Sequence, residues 1–341
     1  MTLQLVFRPY GFALTRPLVT SRGSWQQRRG WLLKIVAPGS GSAGWGEVSP
    51  LDPGEQRCCE RVLSAWTLHL CRSREELEAL LPTLPAALAF AIGAALAELD
   101  GVVGDAHGQC WCSPPQSAQL LPAGHAMPVA LEAMLAQLGE ASGEPCGVAP
   151  LTLKWKVAAA EPALEWRLLG LLLERLPNEA RLRLDANGGW DRDTADRWAD
   201  AVEGDPRLDW LEQPLAADDL EGLSRLGERV PVALDESLAQ NPELREQWPG
   251  WQVRRPLLEG DPRPLLQDLQ RGRPKLMLST AFETGIGARW LALLAALQQR
   301  GPTPTAPGLA PGWCPPGPLF SQDPQQVWNA AAENGSGMEE S

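Results

Sequence analysis

Positive charge is scarce in this sequence: 30 lysines and arginines stand against 42 aspartates and glutamates, a formal net charge of −12 over 341 residues. Such a balance repels phosphate backbones and anionic headgroups, so a nucleic-acid or membrane binder is not expected and a small-molecule partner is. No run fit to span a bilayer is present either. The most apolar uncharged stretch, 80–97, is broken by Pro82 and Pro85 and is rich in alanine after them, which predicts a buried helix from about 85 to 99. Longer uncharged stretches, 106–131 and 301–322, carry too much proline and too many polar residues to span. The first residues lack the basic segment, apolar run and small-residue cleavage site of a secretory signal. Seven cysteines, an odd number at irregular spacing, include Cys110-x-Cys112 but no two pairs at zinc-finger spacing. They are read as reduced thiols, and the expected compartment is the cytoplasm. His69, His107 and His125 fall outside every motif described below and are read as surface or satisfied histidines. Nothing in the sequence bears on the oligomeric state.

Apolar residues are plentiful, 44% of the chain, enough for one large or two ordinary domains. Residues 3–9, 31–36 and 44–48 read as short strands, the last two joined by a Gly/Ser-rich turn as an antiparallel hairpin, with helical patterns at 55–68 and 73–81. From about residue 126 the pattern becomes short apolar strands separated by helices, at 151–157, 181–185, 208–212, 231–235, 251–255, 275–279 and 303–305. Repeated strand–helix units of this kind predict a parallel sheet, and their number favours a barrel. Residues 301–318 should be irregular, and the small, acidic tail 331–341 is expected to be disordered. The fifteen tryptophans mostly fall where packing would use them.

Four strand ends finish in charged residues, which in a parallel barrel is the catalytic face. Alternation along 151–157 points Lys154 and Lys156 one way, and Leu153, Trp155 and Val157 the other, toward helices. Two neighbouring ammonium groups disfavour each other's charge, which would lower a lysine toward the range useful in a general base; the plainer reading is two ordinary lysines at a solvated strand end. In 181–187, Arg183, Asp185 and Asn187 share a face, an arginine one layer below a carboxylate. Glu212, in Trp210-Leu211-Glu212-Gln213-Pro214, and Asp235, before Glu236, each end an apolar run about one strand–helix unit further on. Three acids on successive strands would converge and repel, and a hard divalent cation such as Mg²⁺ resolves this, with Mn²⁺ as the possible substitute. The alternative is that each acid merely caps a helix or pairs with an arginine. Lysines on one side and a metal on the other suit proton abstraction beside a carboxylate.

The order Lys154-x-Lys156, Leu182-Arg183-Leu184-Asp185-Ala186-Asn187, Trp210 to Pro214 and Ala233-Leu234-Asp235-Glu236-Ser237, preceded by Gly46-Glu47-Val48-Ser49-Pro50, resembles the enolase superfamily, and within it the o-succinylbenzoate synthases, over residues 1 to about 320. The resemblance implies an α/β fold, a modified (β/α)₇β barrel over 101–310, with an α+β capping domain over 1–100 to which 311–330 returns. It implies Mg²⁺-dependent dehydration of 2-succinyl-6-hydroxy-2,4-cyclohexadiene-1-carboxylate to 2-succinylbenzoate, toward menaquinone or phylloquinone. By motif, Asp185, Glu212 and Asp235 would be metal ligands, Lys156 the base, and Lys154 a substrate-holding cation that tunes it. Asn187 and Arg183 would support them. Loops 20–23, with Arg22, and 49–51, with Ser49, would cap the site. The segment from Leu278 through Ser279, Thr280 and Glu283 to Gly285 resembles one whose backbone N–H groups receive the succinyl carboxylate.

The sequence departs from the pattern on the sixth barrel strand, where relatives carry a lysine before proline and this chain has Arg255 before Pro256. Arginine stays protonated and is a poor proton acceptor, yet it remains a cation that can face an enediolate or a π-system. Racemases need bases on both faces of the α-carbon, whereas a syn dehydration can use Lys156 first as base and then as acid. Arg255 therefore favours dehydration over the competing readings, an N-acylamino-acid racemase or dipeptide epimerase, or a non-catalytic metal-binding relative.

Overall fold

The structure is a computed structural model; it describes residues 2–20, 23–39, 41–66, 71–104, 110–141 and 150–335. The chain forms two compact units, one of Met1–Pro115, Arg254–Pro274 and Leu278–Ser341, the other of Gln116–Val253 and Lys275–Met277.

The first unit carries a four-stranded antiparallel sheet in the order β3-β2-β1-β4, where β1 is Thr2–Thr20, β2 Gly23–Val36, β3 Ala43–Val48 and β4 Cys71–Ser73. The hairpin expected of 31–36 and 44–48 forms, with Trp31 opposite Val48 and Val36 opposite Ala43. The strand begun at 3–9 runs on to Thr20, with a register shift between Ala13 and Leu18. The apolar stretch predicted to be a buried helix is helix Ala86–Leu99, buried from Ala87 to Ala97. It lies close against β3 because two positions there lack a side chain: a Cβ on Gly44 or Gly46 would collide with the carbonyls of Ala95 or Ala91. Leu33, Ile35, Val48, Ile92 and Leu96 close the core around it. No helix among the described residues is long and apolar enough to cross a membrane.

A seven-stranded sheet follows in the order β11-β10-β9-β8-β7-β6-β5, with β5 Gln119–Leu121, β6 Thr152–Lys156, β7 Arg181–Asp185, β8 Leu208–Glu212, β9 Val232–Leu234, β10 Trp251–Arg254 and β11 Leu276–Leu278. Pairing is parallel from β5 through β10. The α/β class read from the sequence, a modified (β/α)₇β barrel with an α+β cap, is observed as a curled seven-stranded parallel sheet with an N-terminal antiparallel sheet. Three of the intervening helices start at side-chain caps: Glu161 accepts from Ala163 and Leu164, Asp191 from Thr194, and Asp219 from Gly222. Their apolar faces meet Leu153, Trp155, Leu182 and Leu184, which are the strand positions assigned to that side by alternation. Trp198 sits at the centre of this layer, stacked on Trp166 at 4.9 Å and Trp190 at 4.8 Å between ring centroids.

Two elements differ from expectation. β5 is only three residues long, too short to show periodicity. Residues 303–305 are not a strand; the chain there makes a single bridge, Ser279 to Gly308. The proline and glycine content that marks 301–318 as irregular is also what denies it a ladder. Helix Pro324–Gly335 extends into the stretch expected to be a tail, whose residues from 336 lie outside those described.

Candidate active site

Sheet register builds the site in two rows within the second unit. Lys154 is level with Arg183 and Trp210, and one step further along, Lys156 is level with Asp185 and Glu212. Adjacent parallel strands lie about 4.8 Å apart, so a row of side chains on one face is a row of neighbours.

In the lower row, Arg183 is wholly buried, its guanidinium 4.1 Å above the Trp210 ring and its Nε donating to Asp209 Oδ2 at 3.0 Å. Asp209, the residue before Trp210, is thus one partner of this buried guanidinium, and the charge of Glu212 in the carboxylate row also favours its protonated form. Lys154 Nζ lies 2.6 Å from Glu212 Oε1 and 2.9 Å from Asp185 Oδ2. Burial works against its charge, but Asp185, Glu212 and Asp235 outweigh that and hold the ammonium above the ordinary lysine value. The expectation that the lysine pair would lower its members thus fails for Lys154. Acids from neighbouring strands dominate the repulsion from Lys156, and Lys154 is a fixed cation.

Lys156 is placed differently. Its side chain keeps 30% exposure against 10% for Lys154, and its Nζ lies 2.6 Å from Asn187 Oδ1 and 3.9 Å from Asp185 Oδ2. Asn187 adopts a left-handed backbone, φ 47°, with its N–H on Asp185 Oδ1, and its side-chain Nδ2 donates to Glu236 Oε1 at 3.0 Å. Just past Lys156, the buried carboxylate of Glu165 accepts the N–H groups of Ala158, Ala159 and Ala160, which fastens the loop leaving the strand.

Asp235 precedes helix Glu236–Gln240 without a side-chain cap bond, so capping does not account for it. The buried side chain of Gln213 sets its position: Oε1 accepts from the N–H groups of Asp235 and Ser237, while Nε2 donates to Ser237 Oγ and Leu215 O. Gln213, Glu236 and Glu165 had no role in the reading of the sequence. The first two sit beside assigned acids in the motifs, and only the fold shows what they hold.

Asp185, Glu212 and Asp235 are all buried at the ends of successive strands. Burial, then its acidic neighbours, pushes Glu236 up to about 7; burial also raises Glu212, against the pull of Lys154. Among the described residues no three acidic, histidine or cysteine side chains stand as a ready-made ligand set, since Lys154 Nζ lies between Asp185 and Glu212. The chemistry of the donors nonetheless suits a hard cation. All are carboxylate oxygens, and the four acids against two lysines leave an excess of negative charge that a divalent ion would offset.

The remaining predicted residues lie in the first unit. Arg255 Nη1 donates to Thr280 O at 2.9 Å and its N–H to Glu259 Oε1, while Arg254 pairs with Glu259 at 2.6 Å. The N–H groups of Ser279, Thr280, Ala281, Phe282 and Thr284 all donate to protein acceptors, so these expected carboxylate donors are engaged within the chain. Gly285 has a packing reason for lacking a side chain, since a Cβ there would strike the backbone of Ser321. Ser49 is buried, its Oγ accepting from Arg28 and lying 3.1 Å from the hydroxyl of Tyr10, the chain's single tyrosine, whose proton goes to Glu47. Arg22 lies outside the described residues. Glu47, quoted above only as part of a motif, is a hub: it accepts from Thr284 N, Thr284 Oγ1, Gly287 N and Tyr10 OH.

Comparison with known proteins agrees with this geometry. Residues 150–247, which hold every residue of the two rows, match the family model described as enolase C-terminal domain-like. The o-succinylbenzoate synthase of Thermosynechococcus vestitus is 34% identical over 294 residues, 82% of this chain and 84% of that protein. That of Edwardsiella ictaluri is 30% identical, covering 83% and 82%. Among solved structures, an o-succinylbenzoate synthase from Thermosynechococcus elongatus with Mg in its active site superposes with a TM-score of 0.73 at 30% identity, over 96% of this chain and 99% of that one. An L-Ala-D/L-Glu epimerase from Bacillus subtilis gives 0.66 at 21% identity over 88% of each chain, a likeness of fold.

Proposed function

Because the chain belongs to the o-succinylbenzoate synthase family of the enolase superfamily, we propose that it catalyses the syn dehydration of 2-succinyl-6-hydroxy-2,4-cyclohexadiene-1-carboxylate to 2-succinylbenzoate, a cytoplasmic step toward menaquinone or phylloquinone. The observation that carries this reading is the row Lys156–Asp185–Glu212, with one lysine reachable from solvent and the other locked among carboxylates.

Asp185, Glu212 and Asp235 would hold Mg²⁺, or Mn²⁺ in its place. Bound there, the ion supplies a fixed divalent charge against the negative charge that builds on the substrate carboxylate when its α-proton leaves. Lys156 in its amine form takes that proton. It starts from a defined position because Asn187 holds its Nζ, and it then returns a proton to the departing hydroxyl on the same face. Lys154, buried against Asp185 and Glu212, would hold the substrate carboxylate while the more exposed Lys156 moves the proton. Arg255 stands in the sequence where relatives carry a lysine and supplies positive charge without accepting a proton. That property favours dehydration over racemisation. The test is direct: purified protein is given the cyclohexadiene substrate and Mg²⁺, and aromatisation is followed in the ultraviolet. Absence of turnover there, with racemisation of an N-succinylamino acid instead, would replace this reading with the epimerase one.

A further inference from the structure

We infer that Glu236 is a positioning residue for Lys156, acting through the side-chain amide of Asn187. The inference rests on the reading of Lys156 as the base. An asparagine amide offers an oxygen on one side and an NH₂ on the other, and the two ends are chemically opposite. Lys156 needs the oxygen, which it finds at 2.6 Å. The NH₂ end faces Glu236 Oε1 at 3.0 Å, and a carboxylate accepts from NH₂ where it would repel an amide oxygen. Glu236 thereby sets the sense of the amide and, with it, which atom the lysine meets.

The backbone on both sides of the relay is pinned. Asn187 is held in its left-handed conformation by Asp185 Oδ1 on its own N–H, and the next residue, Gly188, donates to Gln213 O at 2.7 Å. Glu236 begins a short helix whose Asp235 and Ser237 N–H groups are gripped by Gln213 Oε1. Two strand ends fastened by Gln213 thus present Asn187 and Glu236 to each other. Without the carboxylate, the contact left to orient the amide is Lys156 itself, whose amine form accepts from an NH₂ as readily as it donates to an oxygen.

The experiment uses the chain's composition: it has only four lysines, Lys34, Lys154, Lys156 and Lys275. With lysine labelled by ¹³C at the ε-carbon and Mg²⁺ present, four signals are assigned by substitution, and the order parameter of the Lys156 ε-methylene is measured in wild type, Glu236→Ala, Glu236→Gln and Asn187→Ala. The expected result is that Glu236→Ala, Glu236→Gln and Asn187→Ala all loosen Lys156, Glu236→Gln because its amide can turn an NH₂ as well as an oxygen toward Asn187 and so no longer fixes the sense. In turnover, Glu236→Ala should lower kcat by about tenfold or more with KM and Mg²⁺ affinity within about twofold of wild type, and the Glu236→Ala, Asn187→Ala double variant should be no worse than Asn187→Ala. An unchanged Lys156 order parameter in Glu236→Ala overturns the inference, as does a Mg²⁺ affinity that falls as far as kcat, which would mean the residue acts through Asp235. The order parameter requires no substrate, so loss of the relay is distinguishable from failure of the dehydratase reading, which Lys156→Ala tests separately.

Discussion

Lys154 and Lys156 are two residues apart on one strand face, yet their surroundings give them opposite character. The first is enclosed by carboxylates; the second reaches solvent and, among the described residues, meets one polar side chain at hydrogen-bond distance, Asn187. Lys156→Ala should therefore cut turnover at least about a hundredfold, the scale of a lost general base, while Tm and Mg²⁺ affinity stay near wild type. Near-normal turnover in that variant would show that the wrong lysine has been chosen. Arg255 allows a sharper test. Arg255→Lys should keep substantial dehydration, because a compact cation replaces a planar one, whereas Arg255→Met should lose on the order of 3 kcal/mol of transition-state stabilisation, roughly a hundredfold in kcat. Wild-type protein should exchange the α-proton of an N-succinylamino acid on one face at most; efficient racemisation would refute Arg255 as a non-basic residue.

Helix Ala86–Leu99 and β3 are joined by the absence of side chains, a close approach that not every glycine of the chain serves. Gly46→Ala would drive a methyl group into the Ala91 carbonyl and should destabilise the protein by several kcal/mol, an estimate of about 2–3 from overpacking costs. Gly170, inside helix Pro162–Arg175 with open space around its Cβ position, should do the reverse: Gly170→Ala should gain about 0.5–1 kcal/mol. Urea titration of both variants against wild type decides this pair. The loop before helix Gly285–Gln299 carries the second element-level prediction. Burial, with Glu47 nearby, pushes Glu283 up to about 7. A raised carboxyl favours its protonated form in the native state, so its contribution is complete below the ordinary carboxylate range and is lost as pH climbs through about 7. Glu283→Gln should remove that fall, and unfolding free energies at pH 5 and pH 8 should then lie closer together than in wild type. A pH dependence identical to wild type would mean that Glu283 ionises freely in the folded protein.

Across the whole molecule, the net charge of −12 and the buried acids of the parallel sheet act in the same direction: folding gathers like charge. A divalent ion that binds the folded state and not the unfolded one should raise Tm as its concentration passes its dissociation constant, about 2.7 kcal/mol of stabilisation at a hundredfold excess over Kd. Chelation should abolish turnover and lower Tm, both restored by added Mg²⁺, and Asp185→Asn should blunt the Tm response. A Tm indifferent to Mg²⁺ would remove the metal from the proposal.

Much of this was legible in the linear chain because alternation along a parallel strand is a strict geometric rule. It assigns Leu153, Trp155, Leu182 and Leu184 to the helix layer and Lys154, Lys156, Arg183 and Asp185 to the opposite face, and the structure places them so. The buried helix was legible too, since an alanine-rich apolar sequence that follows a proline has few other uses. What lay beyond reach depends on neighbours far away in sequence. The charge state of Lys154 is set by acids 31 and 58 positions on, which local repulsion from Lys156 cannot reveal. The amide of Asn187 takes its direction from a glutamate 49 residues later, and Ser49 is claimed by Arg28 and Tyr10 from other strands of its own sheet. Strand β5 is too short to carry a period, and 303–305, expected as a strand from the strand–helix rhythm, holds Pro304 and joins no ladder. Residue order determines which side chains share a face; only the folded sheet, by bringing strands level, decides which charge wins.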